Sequence, residues 1–250
     1  MEDSPISLSK WLPVIWLIGN CRNAISSWEI HRDLGVTQKT AWFMLSRVRL
    51  AMQDENHGGG KLAGEVEVDE SFIGGKARNM HPDVKARKIH GRGPEGKAIV
   101  AAVLERGGKV RAKVVETRKK GKLQKMVRDH VEAGSNVYSD ALKSYEGLDE
   151  YTHQVIDHAV AYVDGQIHTN GLENFWSLLK RGIKGTYVSV EPFHLFRYLD
   201  EQTFRYNNRL NSDGEVVTDA ERFSRLCDQI VGKRLMYKHL IGQDRPEAEF

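Results

Sequence analysis

Apolar positions recur at helical spacing through the first fifty residues and then switch to strand-like alternation. Ser26 followed by Glu29 has the spacing of a capping box, and Trp28, Ile30 and Leu34 give a short helix its apolar stripe. Gly35 breaks that helix. Thr37 then caps a second one, in which Ala41, Trp42, Leu45, Val48 and Leu50 recur at roughly helical intervals. Helix, glycine turn and helix over Ser26 to Met52 outline a helix-turn-helix, although any two amphipathic helices share that outline. The exposed face of the second helix is expected to carry Gln38, Lys39, Arg47 and Arg49, side chains suited to bases and phosphates. Asp54 to Gly60 (DENHGGG) is polar and glycine-rich, as a linker would be.

Glu65 to Asp69 alternates polar and apolar residues and reads as a strand ending on a carboxylate. The charged stretch from Gly74 to Gly96 reads as an extended loop. Ala98 to Leu104 and Val110 to Val115 flank Gly107-Gly108, which predicts a hairpin. Leu123 to Val131 has helical spacing. Asn136 to Asp140 is a short strand that again ends on a carboxylate, followed by a small helix around Leu142 to Tyr145 and a strand at Gln154 to Asp157. Helices are expected near Leu172 to Arg181 and Phe193 to Asn207, and the segment after Asn211 is polar with scattered apolar residues. The order is mixed α/β, compatible with an RNase-H-like mixed sheet flanked by helices and preceded by a helical helix-turn-helix domain. The expected organisation is 1–56 helical and DNA-binding, 57–64 linker, 65–211 catalytic, and 212–250 a partly helical C-terminal tail.

Composition narrows the class. Hydrophobic residues at 40% can build a core, and 28% charged residues suit a soluble surface. The most apolar run, Trp11 to Ile18, is too short to span a bilayer and contains Pro13, so no membrane partner and a cytoplasmic location are expected. Cys21 and Cys227 are too distant for a local metal knuckle and read as reduced, mostly buried thiols. The net charge of +3 hides an uneven distribution: Lys76 to Arg128 holds 17 Lys or Arg against 4 acids. Such a run, with Lys119 and Lys120 inside it, attracts a polyphosphate, since binding releases condensed counterions; an ordinary solvated face is the alternative.

Phosphodiesters resist attack because the phosphate is anionic and alkoxides leave poorly. A pair of Mg²⁺ ions overcomes both obstacles and needs only a few converging carboxylates, because Mg²⁺ keeps several waters. Asp69 and Asp140 end two strands. If those strands are neighbours, both acids stand at one sheet edge. Glu173 lies in the first turn of a helix that can lean over the same edge, and Lys180, seven residues on, shares its face and suits a phosphate. Trp176 between them reads as a core anchor, with base stacking as the alternative. His168 suits an auxiliary role at a leaving group, or a structural one.

Three strings in this region resemble bacterial insertion-sequence transposases with an ISXO-like DDE domain: Val68-Asp-Glu-Ser-Phe-Ile-Gly-Gly75, Tyr138-Ser-Asp-Ala141 and His168-Thr-Asn-Gly-Leu-Glu-Asn-Phe-Trp-Ser-Leu-Leu-Lys-Arg-Gly182. The resemblance runs from Gly35-Val-Thr-Gln-Lys-Thr-Ala-Trp42 to Tyr206-Asn-Asn-Arg209. It implies an RNase-H-like core that binds Mg²⁺, with Mn²⁺ as a substitute, and that cuts and joins double-stranded DNA at transposon ends and target. Asp69 and Asp140 match the first two metal ligands. Glu173 matches the third, with Asn170 and Asn174 as alternatives because some members carry Asn there. Lys180 and Arg181, with the basic stretch, would hold DNA backbone, and synapsis implies a homo-oligomer. Relatives commonly begin with a zinc ribbon of paired Cys-x-x-Cys motifs, which this sequence lacks. Met1 to Ser9 resembles the region just after such a ribbon, so a shortened or truncated chain, or a non-catalytic DNA-binding relative, is the competing expectation.

Overall fold

In a computed structural model, residues 4–57, 60–75, 80–89, 91, 94–140, 142–156, 169–188 and 190–242 are described. The N-terminal capping signals form as the sequence predicts. Ser26 Oγ accepts from the Glu29 amide at 3.2 Å, and the Glu29 carboxylate accepts from the Ser26 amide at 2.7 Å. This box starts α2 (Ser27–Leu34), which follows α1 (Leu8–Asn20) and ends at Gly35 in the left-handed region, φ 58°. Thr37 Oγ1 then accepts from the Thr40 amide and leads into α3 (Gln38–His57).

Alternation produces the sheet. It comprises β1 (Glu65–Ile73), β2 (Ala98–Glu105), β3 (Val110–Val115), β4 (Asn136–Asp140) and β5 (Thr152–Ile156), in the order β3-β2-β1-β4-β5. β1, β2 and β3 pair antiparallel, whereas β4 lies parallel to β1, and β5 parallel to β4. The expected loop between β1 and β2 contains a short helix, α4 (Pro82–Lys88), begun by a proline at its first position. α5 (Lys120–His130) leads into β4, and the small helix after β4 is a 3₁₀ turn at Lys143–Tyr145.

Because successive strand residues face opposite ways, β1 feeds two cores. Val66 and Val68 pack with Leu123 and Val127 of α5 on one face. Ile73, Val100, Ala102 and Leu104 pack on the other face under α6 (Asn170–Arg181) and α7 (Leu195–Asn207), through Leu172, Phe175, Trp176, Leu179 and Leu199.

A third core joins the two ends of the chain. Trp11, Ile18, Ile30, Leu45, Val48 and Met52 of the first three helices bury against Phe204 of α7 and Leu226 of α8 (Asp219–Ile230). The segment 57–64 therefore separates two stretches of sequence whose cores are joined through α7. The tail holds α8, started by a second capping box between Thr218 and Glu221, and the short α9 (Tyr237–Leu240). Cys21 and Cys227 are half-buried in the α1–α8 seam and form no disulfide; burial pushes both thiols up. Among the described residues no helix is long and apolar enough to cross a membrane.

Candidate active site

Asp69 does not end its strand, as the alternation suggested; β1 runs on through Ile73 because Ala98 to Val100 pair with that extension. Asp140 does end β4. Val68 sits opposite Ser139 in the parallel β1–β4 ladder, so Asp69 and Asp140 come next on adjoining strands. The neighbouring-strand condition for the two acids is met.

Asp69 is well enclosed. Its Oδ2 accepts from the Trp176 indole Nε1 at 2.8 Å, and its Oδ1 from the Glu70 amide at 2.8 Å. Burial pushes its pKa up to about 7, against the pull of the Trp176 bond, and the carboxylates of Glu70 and Asp140 add to the rise. Trp176, 4% exposed, is thus both a core residue and a donor to Asp69. Lys180 lies within the field of Asp69: burial lowers its pKa, Asp69 opposes that, and Lys184 and Lys97 reinforce it.

Two acids beside Asp69 carry structural duties that the motif does not announce. Glu70 turns to the opposite face, where its oxygens accept from Arg118 and the Tyr145 hydroxyl, each at 3.1 Å; burial and then Asp140 raise its pKa against these donors. Glu67, 1% exposed, accepts from the Leu172 amide in the first turn of α6 at 2.9 Å and from Arg106. A carboxylate at a helix N-terminus satisfies an orphan amide and the local dipole. Against them sits Gly171, where a Cβ would lie 2.6 Å from Leu104 Cδ2 and 2.8 Å from Glu67 Oε2, so any larger residue would have to displace these buried side chains or α6 itself. The i, i+2 spacing of Glu67 and Asp69 is the signal that places both under α6.

Glu173 is exposed and lines a groove on the outer side of α6, together with Asn170 and Asn174. The carboxylates pressing on Asp69 are Glu70 and Asp140, and among the described residues no three His, Cys, Asp or Glu converge as a metal-holding group. His168 lies outside the described residues.

The expected DNA-facing residues divide. Arg49 is not exposed: it is 1% exposed and its Nε contacts Glu201 of α7 at 2.7 Å, with its guanidinium over the Tyr198 and Tyr187 rings. Both long faces of α3 are covered, because α7 and α8 pack on it, so a surface position in an isolated helix pair becomes an interior one. Arg205 and the Tyr187 hydroxyl also contact Glu201, and these donors pull the Glu201 pKa down although burial alone would raise it. Arg47 lies over the Trp11 and Phe43 rings, Lys39 over Tyr237, and Gln38 donates to Ser27 Oγ at 2.8 Å. Lys119, Lys120 and Arg181 are exposed. The basic stretch is not one continuous cationic face, since Arg106, Arg118, Lys122, Lys125 and Arg128 are paired with Glu65 and Glu67, Glu70, Glu116, Asp129 and Glu150.

The family model for the ISXO2-like transposase domain matches residues 61–207. The chain is 25% identical over 191 residues to an uncharacterized protein in transposable element ISH50 of Halobacterium salinarum, covering 72% of this chain and 63% of that protein. It therefore spans less than two thirds of that relative's length. An uncharacterized transposase-like protein of Haemophilus influenzae is 32% identical over 102 residues, covering 40% of this chain and 82% of the other. Among solved structures, a Mos1 transposase paired-end complex with left transposon end aligns at 12% identity over 87% of this chain and 82% of that one, with a TM-score of 0.24. The family match takes in more than half of the chain, with both strand-borne aspartates and the helix bearing Glu173 and Lys180, and the chain belongs to the ISXO2-like transposase family of insertion sequences.

Proposed function

We propose that this chain is a transposase of the metal-dependent polynucleotidyl transferase kind, which cleaves DNA strands at insertion-sequence ends and joins them to target DNA. One observation carries the proposal: Asp69 and Asp140 lie side by side on parallel strands, and Asp69, enclosed under α6, is pushed to a pKa of about 7. The mixed five-stranded sheet with helices on both faces supports an RNase-H-like reading of this unit.

The donor set fits a hard divalent cation. Asp69 and Asp140 offer carboxylate oxygens crowded by like charge, and Mg²⁺, or Mn²⁺ in its place, requires only one or two carboxylates beside its waters. When bound, the metal supplies activation of the attacking oxygen and stabilisation of the leaving one. Trp176 and the Glu70 amide hold the Asp69 carboxylate in one orientation. Lys180 neutralises phosphate charge beside Asp69. The third ligand position goes to Glu173 on its seven-residue spacing to Lys180, with Asn170 as competitor, and His168 is assigned an auxiliary role at the leaving oxygen. Double-stranded transposon ends and target DNA are the partners, brought together by a homo-oligomer.

Labelled end fragments incubated with the purified chain and Mg²⁺ test this. The wild type is expected to give nicked and then joined products, and Asp140→Ala to give neither while still binding DNA. Retained cleavage by Asp140→Ala would falsify the metal-ligand assignment. Binding without cleavage by the wild type would make the chain a non-catalytic DNA binder, and cleavage without joining a nuclease. Glu173→Gln and Asn170→Ala, compared in the same reaction, decide the third position by which one loses Mg²⁺-dependent cleavage.

A further inference from the structure

A groove of ≈ 990 Å³ runs along the outer face of α6, opposite the side that packs on the sheet. Its walls come from five places: the end of α1 with Arg22 beyond it, α6, the C-terminal half of α7, the segment that follows α7, and Arg222 of α8. Among the described residues five arginines line it against one acid, Glu173.

The arginines fall into two groups. Arg205 and Arg222 form the floor and are committed: Arg205 to Glu201 and Gln202, Arg222 to Asp219, Asn20 and the Val217 carbonyl. Arg22, Arg181 and Arg209 form the rim, are exposed, and among the described residues make no ion pair. Arg209 is held flat, its guanidinium 3.7 Å from the centre of the Tyr206 ring and its Nε donating to the Tyr206 carbonyl at 3.0 Å. That arrangement, with a further side-chain hydrogen bond between Arg209 and the Tyr206 hydroxyl, fixes the position of the guanidinium on the rim. A second cleft of ≈ 900 Å³ adjoins the first at Tyr206 and Arg209 and continues to Lys109 at the β2–β3 turn.

A positioned guanidinium, two exposed neighbours and the exposed side-chain amides of Asn170 and Asn174 suit a row of phosphates better than scattered carboxylates, because guanidinium groups match phosphate oxygens. We infer that this groove, with Arg22, Arg181 and Arg209 on its rim, seats the sugar-phosphate backbone of duplex DNA. The inference rests on the proposed transposase reading and extends it to a surface that the basic stretch and α3 do not include. Glu173, proposed above as the third ligand, stands on the wall of this groove, so the groove borders the proposed site.

Fluorescence anisotropy with a labelled duplex of about 30 base pairs, in EDTA and over a salt series, tests it. Arg22→Glu, Arg181→Glu and Arg209→Glu combined should weaken binding ~100-fold and flatten the log K against log salt slope by ~2–3, about 0.9 per lost phosphate contact. Lys119→Glu with Lys120→Glu, on the other side of the sheet, is measured alongside. If that pair changes the slope and the rim variant does not, the groove assignment is overturned. Wild-type protein that binds no duplex overturns it too, and so does polyglutamate competing as well as unlabelled DNA, which would make the occupant an acidic protein. A rim variant that fails to fold by circular dichroism is replaced by Arg22→Gln with Arg181→Gln, for which the slope falls by about 2 if the groove holds DNA and is unchanged if it does not. Duplex binding through the rim without any cleavage would end the catalytic reading and leave this one standing; cleavage with a rim variant that binds like wild type would do the reverse.

Discussion

Glu201 and Asp69 are both enclosed carboxylates, and the chain treats them in opposite ways. Glu201, fully buried in α7, meets Arg49, Arg205 and Tyr187, and these donors hold its pKa below the ordinary range. Asp69 in β1 receives an indole N–H and one amide, and burial, with the charges of Glu70 and Asp140 added, pushes it to about 7. One charge is satisfied by its neighbours and ties elements together. The other is left short of donors and holds its proton into the neutral range, as groups at working sites often do.

Removing Glu201 should have the larger effect on stability. Glu201→Ala strands Arg49 and Arg205 in the interior, and breaking a buried ion pair by deleting one partner costs about 3–5 kcal/mol. Chemical denaturation reads this as a lower midpoint; an unchanged midpoint would show that the network contributes nothing net.

Asp69→Asn should move the other way, and its effect should depend on pH. The folded protein holds the Asp69 proton more tightly than the unfolded chain, whose value is near 3.8, so the stabilisation is present below that pH and is lost as pH rises through about 7. In EDTA the melting temperature of Asp69→Asn relative to wild type is therefore expected to climb between pH 4 and pH 8, by about 2–4 °C for each kcal/mol recovered. A flat difference across that range would mean that Asp69 is not strained in the fold.

The smallest expected effect is that of Trp176→Phe. It keeps an aromatic ring in the core, smaller than the indole, and deletes the donor to Asp69; the lost bond is worth about 1.5–3 kcal/mol to the charged form and less when the acid is protonated, over a packing loss that does not vary with pH. Its destabilisation should therefore grow with pH, opposite to Asp69→Asn. Equal destabilisation at pH 4 and pH 8 would assign Trp176 to packing alone.

Local signals made much of this legible in the sequence. The strand pattern, the Gly107-Gly108 hairpin, the Ser26–Glu29 box and the strand end at Asp140 depend on neighbours within a few residues, and each appears in the fold. The Thr218–Glu221 box has the same spacing as Ser26–Glu29 and marks α8 within a stretch that otherwise reads as a polar tail. What the sequence hides are partners far along the chain. Arg49 looks solvent-facing until Glu201, 152 residues later, is folded against it, and the cations between Arg106 and Arg128 look like one patch until their acids arrive from other elements. Asp69 shows the same limit in reverse: its motif marks it, but its donor, Trp176, reads as a plain core anchor.

Gly171 gives the assembly a tolerance. With no side chain there, Glu67 and Leu104 act as a gauge block against which the first turn of α6 is seated, and Trp176, Glu173 and Lys180 all ride on that one rigid rod. A methyl group at this point would be a wedge under one end of a lever. The tilt it imposed would grow with distance from the seat, so the residues farthest along, Lys180 and Arg181, would be carried out of alignment most.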